Sequence, residues 1–259
     1  MTENKHSGQE KTEVDLSRFK AAILDMDGVV TSSRQAHAAA WKRMFDEYLR
    51  KHAREHGGEF KPFDDGVDYN RYVDGKPRYD GARSFLESRG ISLPYGSPDD
   101  QPGKETVCGL GNLKNRYFQE YLEKNGMEPF HSTVDFVHKM QDRKMSVAVI
   151  SSSRNAKKVL EAAGVRDLFQ AIVDGEYMSE RNLEGKPEPD IFLEAAKNLN
   201  VSPDRAIVIE DAISGVKAGK AGGFGLVIGI DRSGNNPELK DHGADIVVSD
   251  LSELKVKEK

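Results

Sequence analysis

The chain has 259 residues and a net charge of -5, with 37% hydrophobic and 31% charged residues. That length allows one large domain or two modest ones, and the composition is that of a soluble globular protein. No basic stripe points to nucleic acid, no apolar run reaches membrane-spanning length, and the single cysteine, Cys108, excludes an internal disulfide and fits a reducing compartment.

In chain order, the opening "MTENKHSGQEKTEVD" is polar, lacks the apolar region of a signal peptide, and reads as a flexible tail over residues 1–17. A cytoplasmic location is expected. The first strand follows Phe19 and ends in "LDMDG", with Asp25, Asp27 and Gly28. Helix-like segments come next at Gln35–His56, Gly81–Arg89 and Leu113–Lys124, separated by turn-rich "GGEFKPFDDGVDYN" and "LPYGSPDDQPG". "GMEPFHSTVDFVHKM" reads as a returning linker, with Ser132 or Thr133 capping the next helix.

The second half alternates. "MSVAVI" (Met145–Ile150), "AIV" (Ala171–Val173), "RAIVIE" (Arg205–Glu210), "FGLVIGI" and "ADIVV" are strand-like. "AKKVLEAAGV" is helical and stops at Gly164, Pro189 opens a second helix, and "ISGVKAGKAG" forms a third. The expected fold class is α/β: a Rossmann-like parallel sheet core with an inserted α-helical cap domain. The core would cover residues 18–33 and 132–251, and the cap residues 34–131, with breaks near Ser33 and His131.

Ligands of open parallel sheets bind at the carboxyl ends of the strands. There this sequence places Asp25 and Asp27, the "SSSRN" cluster with Ser151, Ser153 and Asn155, Lys186 in "GKPEPD", and Glu210 with Asp211. Carboxylates from separate strand ends suit a hard cation, most simply Mg²⁺. Hydroxyls, an amide and a lysine suit a phosphate. An ionised acid beside Mg²⁺ can attack phosphorus, which makes Asp25 the candidate nucleophile. Asp27, two residues on, is the candidate general acid/base. Residues two apart in a strand share a face but lie about 7 Å apart, and Gly28 allows the tight turn that brings the two acids together. Each residue has a plainer reading as well: Asp211 could cap the helix from Ile213, "SSSRN" could be an ordinary turn, and Lys186 could be solvated.

"DMDGVV", "SSSRN", "GKPEPD" and "IEDAISGV", in that order, resemble the haloacid-dehalogenase-like phosphotransferases. The resemblance covers roughly Phe19–Ser33 and Ser132–Asp250. It implies an aspartyl-phosphate at Asp25, Mg²⁺ held by Asp25, the Asp27 backbone, Asp211 and Glu210, and phosphate contacts from Ser151 and Lys186. In the cap, His37 and Trp41, Gly75 and Arg78 in "DGKPRYDG", and Lys114 in "LKNRYF" are similar to the β-phosphoglucomutase group. There the matching histidine and lysine couple the cap to the acid/base, and the matching arginine grips a second phosphate. Trp41 could equally be cap core or a sugar contact.

The activity implied is interconversion of β-glucose 1-phosphate and glucose 6-phosphate through a bisphosphate. A Mg²⁺-dependent sugar-phosphate phosphatase is the alternative, and a non-catalytic sensor a third reading that the Asp25–Asp27 pair disfavours. The substrate would be a small-molecule sugar phosphate, without nucleic acid or membrane as partner, and the group implies a metabolic link to a disaccharide phosphorylase. The chain departs from compact members of the group around Phe60–Val73 and Leu93–Thr106, where the cap carries extra residues. Two decoys stand out. "HAREH" (His52–His56) fits a zinc-protease pattern but has no third ligand, and "AGKAGGFGLV" has its glycines before a strand instead of after one.

Overall fold

The computed structural model describes residues 12–74, 76–232, 234 and 237–257. In chain order the elements are β1 (Thr12–Val14), β2 (Ala21–Asp25), α1 (Arg34–His56), α2 (Arg78–Ser88), α3 (Val107–Asn125), α4 (His131–Asp142), β3 (Ser146–Ile150) and α5 (Ala156–Ala162). They continue with β4 (Ala171–Val173), α6 (Gly175–Arg181), α7 (Asp190–Asn198), β5 (Ala206–Glu210), α8 (Ile213–Ala221), β6 (Leu226–Ile230), β7 (Ile246–Val248) and β8 (Leu254–Val256). Two compact units result. One runs to Thr31, resumes over Pro129–Lys157 and resumes again from Gly164; the other comprises Ser32–Glu128 with Lys158–Ala163.

The first unit is built on a six-stranded sheet in the order β4-β3-β2-β5-β6-β7, every pairing parallel. The central strands are continuous apolar runs because both faces are covered: β2 and β5 are buried at every position. Asp25 is in register with Ile150, and Leu24 with Ile209. Asp25, Ser151 and Glu210 therefore share one rim. Strand order reverses around β2, so Asp25 ends the strand at the switch point, where such sheets take their ligands. Ile23, Ile150, Ile191, Phe192 and Val208 are in the buried core of this unit.

The second unit is helical. Its core stacks Trp41 on Phe45 (5.2 Å between centroids) and Phe45 on Phe63 (5.1 Å), with Phe85 4.1 Å from Phe45. The turn-rich stretch after α1 is tied back to it, since the Phe63 N–H donates to Asp46 Oδ1 at 2.8 Å and Lys42 donates to the Phe63 carbonyl. Tyr69–Val73 then forms a single π-helical turn. The Leu93–Thr106 stretch is organised by Asp100, which accepts from Thr106 Oγ1, Lys104 Nζ and the Ser97 N–H. No helix among the described residues is long and apolar enough to cross a membrane.

Four expectations are corrected. Residues 12–17 are not part of a tail, because Thr12–Val14 pairs in parallel with β8 and Val14 is buried; residues 1–11 of the expected tail lie outside the described residues. Helix α3 starts six residues before Leu113. Thr106 caps it by accepting from the Gly109 N–H, and Gly109 and Gly111 serve close packing: an added Cβ would meet Lys104 O at 2.3 Å or the Tyr79 ring at 2.7 Å. Helix α2 likewise starts at Arg78, three residues before Gly81, with Pro77 at its N-terminal edge. Ser132 and Thr133 do not cap α4, which begins at His131; their hydroxyls donate instead to Asp250 Oδ2 and the Val29 carbonyl.

Candidate active site

In the sheet unit, two strand ends and one loop place Asp25, Glu210 and Lys186. Asp25 ends β2 and is 5% exposed; Glu210 ends β5 and is fully buried. Lys186 comes from the loop before α7, and its Nζ lies 2.5 Å from both Asp25 Oδ1 and Glu210 Oε1. Two buried carboxylates thus share one ammonium, the arrangement that makes burying them tolerable. Burial raises the Asp25 pKa. Lys186 opposes this, Glu210 and Asp27 add to it, and the net direction is upward. Burial alone would lower the lysine, but the Asp25 and Glu210 carboxylates outweigh it and raise it, so Lys186 stays charged.

Asp27 lies in the turn after β2. Gly28 has φ +83°, and its N–H donates to the Thr31 carbonyl at 2.9 Å. Ser151 Oγ lies 3.3 Å from Asp27 Oδ2 and accepts the Ser153 N–H at 3.1 Å, while Ser153 Oγ accepts the Asn155 N–H at 3.1 Å. The serine cluster is therefore a self-bonded turn that brings Ser151 to Asp27. Asp211 lies against this turn: a Cβ on Gly28 would come within 1.9 Å of Asp211 Oδ2. The N-cap position of α8 is held by Ala212 and not by Asp211.

Two carboxylates contact the one lysine, and Asp27 and Asp211 lie at the adjoining turn, an excess of negative charge that a cation would offset with hard oxygen donors. No group of three or more His, Cys, Asp or Glu side chains is assembled as a metal cage among the described residues. One or two carboxylates, a backbone carbonyl and phosphate oxygens are what Mg²⁺ commonly takes, and Asp25, Asp211 and the Asp27 backbone fit that set. Glu210 differs from its companions. Oε1 accepts from Lys186 and Oε2 accepts the Ala212 N–H at 2.7 Å, which makes it the anchor of the lysine.

In the helical unit, Lys114 Nζ lies 2.7 Å from His37 Nδ1. An ammonium only donates, so Nδ1 accepts and the imidazole proton sits on Nε2. Burial first, then the charges of Lys114 and Arg78, holds the His37 pKa well below its ordinary 6.5. His37 stacks on Phe118 at 4.1 Å, and the buried Lys114 ammonium lies 5.0 Å from the Trp41 ring and 4.9 Å from Phe118. Trp41 is part of the unit's buried core. Arg78 opens α2. Gly75 lies outside the described residues.

One set of residues went unread in the sequence. Arg232, just after β6, donates from Nε to the Gly28 carbonyl at 3.0 Å and from Nη1 to Asp250 Oδ2 at 2.5 Å. Burial alone would raise Asp250, but hydrogen bonds from Ser132 and Ser252 and the Arg232 contact hold its pKa well below the usual carboxylate range. The available signal was position, since "GIDR" follows another strand on the same rim.

A parallel sheet with paired acids, a serine and a lysine at its carboxyl rim is the class of phosphoryl-transfer folds. A model of the family described as haloacid dehalogenase-like hydrolase matches residues 19–223, and the chain belongs to that family. Within it, the chain is 47% identical over 240 residues to the β-phosphoglucomutase of Mycobacterium bovis, covering 92% of each chain. It is 32% identical over 237 residues to that of Bacillus subtilis, covering 91% of this chain and 92% of that one. A crystal structure of β-phosphoglucomutase from Clostridium difficile aligns with a TM-score of 0.71 at 26% identity, over 92% of this chain and 93% of that one.

Proposed function

We infer that this chain is a phosphomutase interconverting β-D-glucose 1-phosphate and D-glucose 6-phosphate. The observation that carries this is the 47% identity to a β-phosphoglucomutase over nearly the whole of both chains. Lys186 holds Asp25 Oδ1, which leaves Oδ2 for phosphorus. From phospho-Asp25, the sugar 6-hydroxyl oxygen bonds to phosphorus as the Asp25–phosphorus bond breaks, and Asp27 takes the hydroxyl proton. The resulting β-glucose 1,6-bisphosphate turns round. Asp25 then takes the 1-phosphoryl group, and Asp27 returns the proton to the departing oxygen, giving glucose 6-phosphate.

Asp25, Asp211 and the Asp27 backbone would hold Mg²⁺, which when bound supplies positive charge against the transferring phosphoryl oxygens. Glu210 enters as the anchor of Lys186. Ser151, with Ser153 and Asn155 shaping its turn, contacts the transferring phosphate. Arg78, Gly75, Lys114 and His37 are assigned to the second phosphate and its sugar, with Trp41 supporting Lys114. A bisphosphate intermediate requires such a second set, whereas simple hydrolysis does not. The same reading places the enzyme in the cytoplasm, where phosphorolysis of a disaccharide would supply its substrate.

The test is an assay of the purified chain with Mg²⁺, β-glucose 1-phosphate and a trace of glucose 1,6-bisphosphate, following glucose 6-phosphate and free phosphate together. Glucose 6-phosphate in large excess over phosphate is expected, and Arg78→Ala should lose isomerisation while retaining phosphate release. Phosphate alone from the unaltered chain would make it a phosphatase and remove the roles given to Arg78 and Lys114.

A further inference from the structure

The two catalytic acids are held by different parts of the fold. Asp25 belongs to β2, which pairs on both sides, and the last ladder bond runs from the Met26 N–H to the Ile150 carbonyl at 2.9 Å. Beyond it, the chain turns on bonds of its own. The Val30 and Thr31 N–H groups both donate to the Met26 carbonyl, and the Gly28 N–H donates to Thr31. Such bonds fix the shape of the turn but not its aim. The aim is set from outside: beside the Ser151 Oγ contact on Asp27 Oδ2 at 3.3 Å, Arg232 Nε donates to the carbonyl of the next residue, Gly28, at 3.0 Å. Thr133 Oγ1 on the Val29 carbonyl and the Phe130 N–H on the Val30 carbonyl hold the following residues.

Arg232 is itself fixed on several sides. Nη1 lies 2.5 Å from Asp250 Oδ2, Nη2 lies 3.5 Å from Thr133 Oγ1, and the guanidinium lies 3.6 Å from the Phe130 ring centroid. Asp250 is held in turn by Ser132 Oγ at 2.7 Å and the Ser252 N–H at 2.9 Å. A planar fork with donors pointing two ways suits this bridge, and a lysine could not span it.

We propose that Arg232, locked against Asp250, is a positioning residue for Asp27: it holds the Gly28 carbonyl and so aims the turn that carries the acid/base. The proposal rests on the reading of Asp27 as acid/base. Asp25 keeps its place through the sheet when Arg232 is changed; Asp27 does not.

The two acids can be tested separately because an acyl phosphate needs no acid. Acetyl phosphate phosphorylates Asp25 by forming the Asp25–phosphorus bond as acetate departs, and acetate leaves without a proton. Arg232→Gln in the full chain with Mg²⁺ is expected to lower mutase kcat about 10- to 100-fold, the scale of a misaimed catalytic group, with KM largely kept. Phosphorylation of Asp25 by acetyl phosphate, followed by intact-protein mass, should stay within about threefold of wild type. Arg232→Lys, which cannot reach both partners, should remain slow, and Asp250→Asn should show the same split to a smaller degree. If both rates fall together, Arg232 merely holds the fold, and if neither falls it does nothing for Asp27; either result overturns the proposal. Asp27→Asn is the control. Should it fail to separate the two rates, the acid/base reading itself is wrong and the proposal goes with it. If it separates them and Arg232→Gln does not, the positioning role alone is lost.

Discussion

His37 and Lys186 show how the same physics assigns opposite charge states to two basic side chains. Lys186 is buried against two carboxylates and stays protonated. His37 is buried against the Lys114 ammonium, with the Arg78 charge also acting on it, and stays neutral. The neutral state has a cost that can be measured. The unfolded histidine binds a proton below about 6.5, the folded one only well below that, so stability is full above the unfolded value and falls as pH drops through the window beneath it. Between pH 6.5 and 5, the unaltered chain should therefore lose stability relative to His37→Gln, by at most about 1.4 kcal/mol per pH unit, and the two should run parallel above pH 7.5. Urea unfolding of both proteins across that range decides it. Parallel curves throughout would mean that His37 carries a proton in the folded state.

Elements dictated by local pattern were legible, and those dictated by distant packing were not. β3, β4 and β5 stand within one residue of the runs read from the sequence, because short apolar runs rich in β-branched residues mark strands. Asp25, Ser151 and Glu210 stand at or just past the ends of β2, β3 and β5, with Asp27 and Asp211 in the turns that follow, while Lys186 arrives on the loop between α6 and α7. The start of α3 was hidden by "VCGLGNL", whose glycines look like a loop and are instead points of close approach. Gly215 makes the same point inside the candidate site. A Cβ there would fall 1.7 Å from Glu210 Oε1, the oxygen that accepts from Lys186, so α8 can start against β5 only without a side chain. Gly215→Ala is expected to push Glu210 aside and cost about 1–3 kcal/mol as an overpacked contact. Mutase kcat should fall with it, because Lys186 loses its anchor. Stability and kcat equal to wild type would show that Glu210 moves at no cost and that its hold on Lys186 is dispensable.

Across the whole molecule, the least legible feature joins segments from opposite ends of the described chain. Thr12–Val14 pairs with Leu254–Val256 in a two-stranded parallel sheet of its own, and neither three-residue segment announces itself, since each becomes a strand only in the presence of the other. The polar sequence around Thr12 favoured a tail, yet Val14 is 5% exposed and Leu254 also 5%. Arg232 escaped notice for a related reason: its partners Gly28 and Asp250 lie 204 and 18 residues away, and no spacing rule links them. The terminal sheet is separate from the six-stranded sheet that carries the candidate site, so its contribution should separate cleanly from catalysis. Val14→Asp places a carboxylate where a buried side chain of this size contributes about 1.5–3 kcal/mol, and a chain of this length shifts its melting temperature by roughly 2–4 °C per kcal/mol. The expected result is a fall of about 3–12 °C in Tm by differential scanning calorimetry, with kcat at 25 °C unchanged. An unchanged Tm would mean that the β1–β8 pairing adds nothing to the fold in solution. A lowered kcat at a temperature where the variant is fully folded would mean that the chain ends reach the catalytic rim through the sheet.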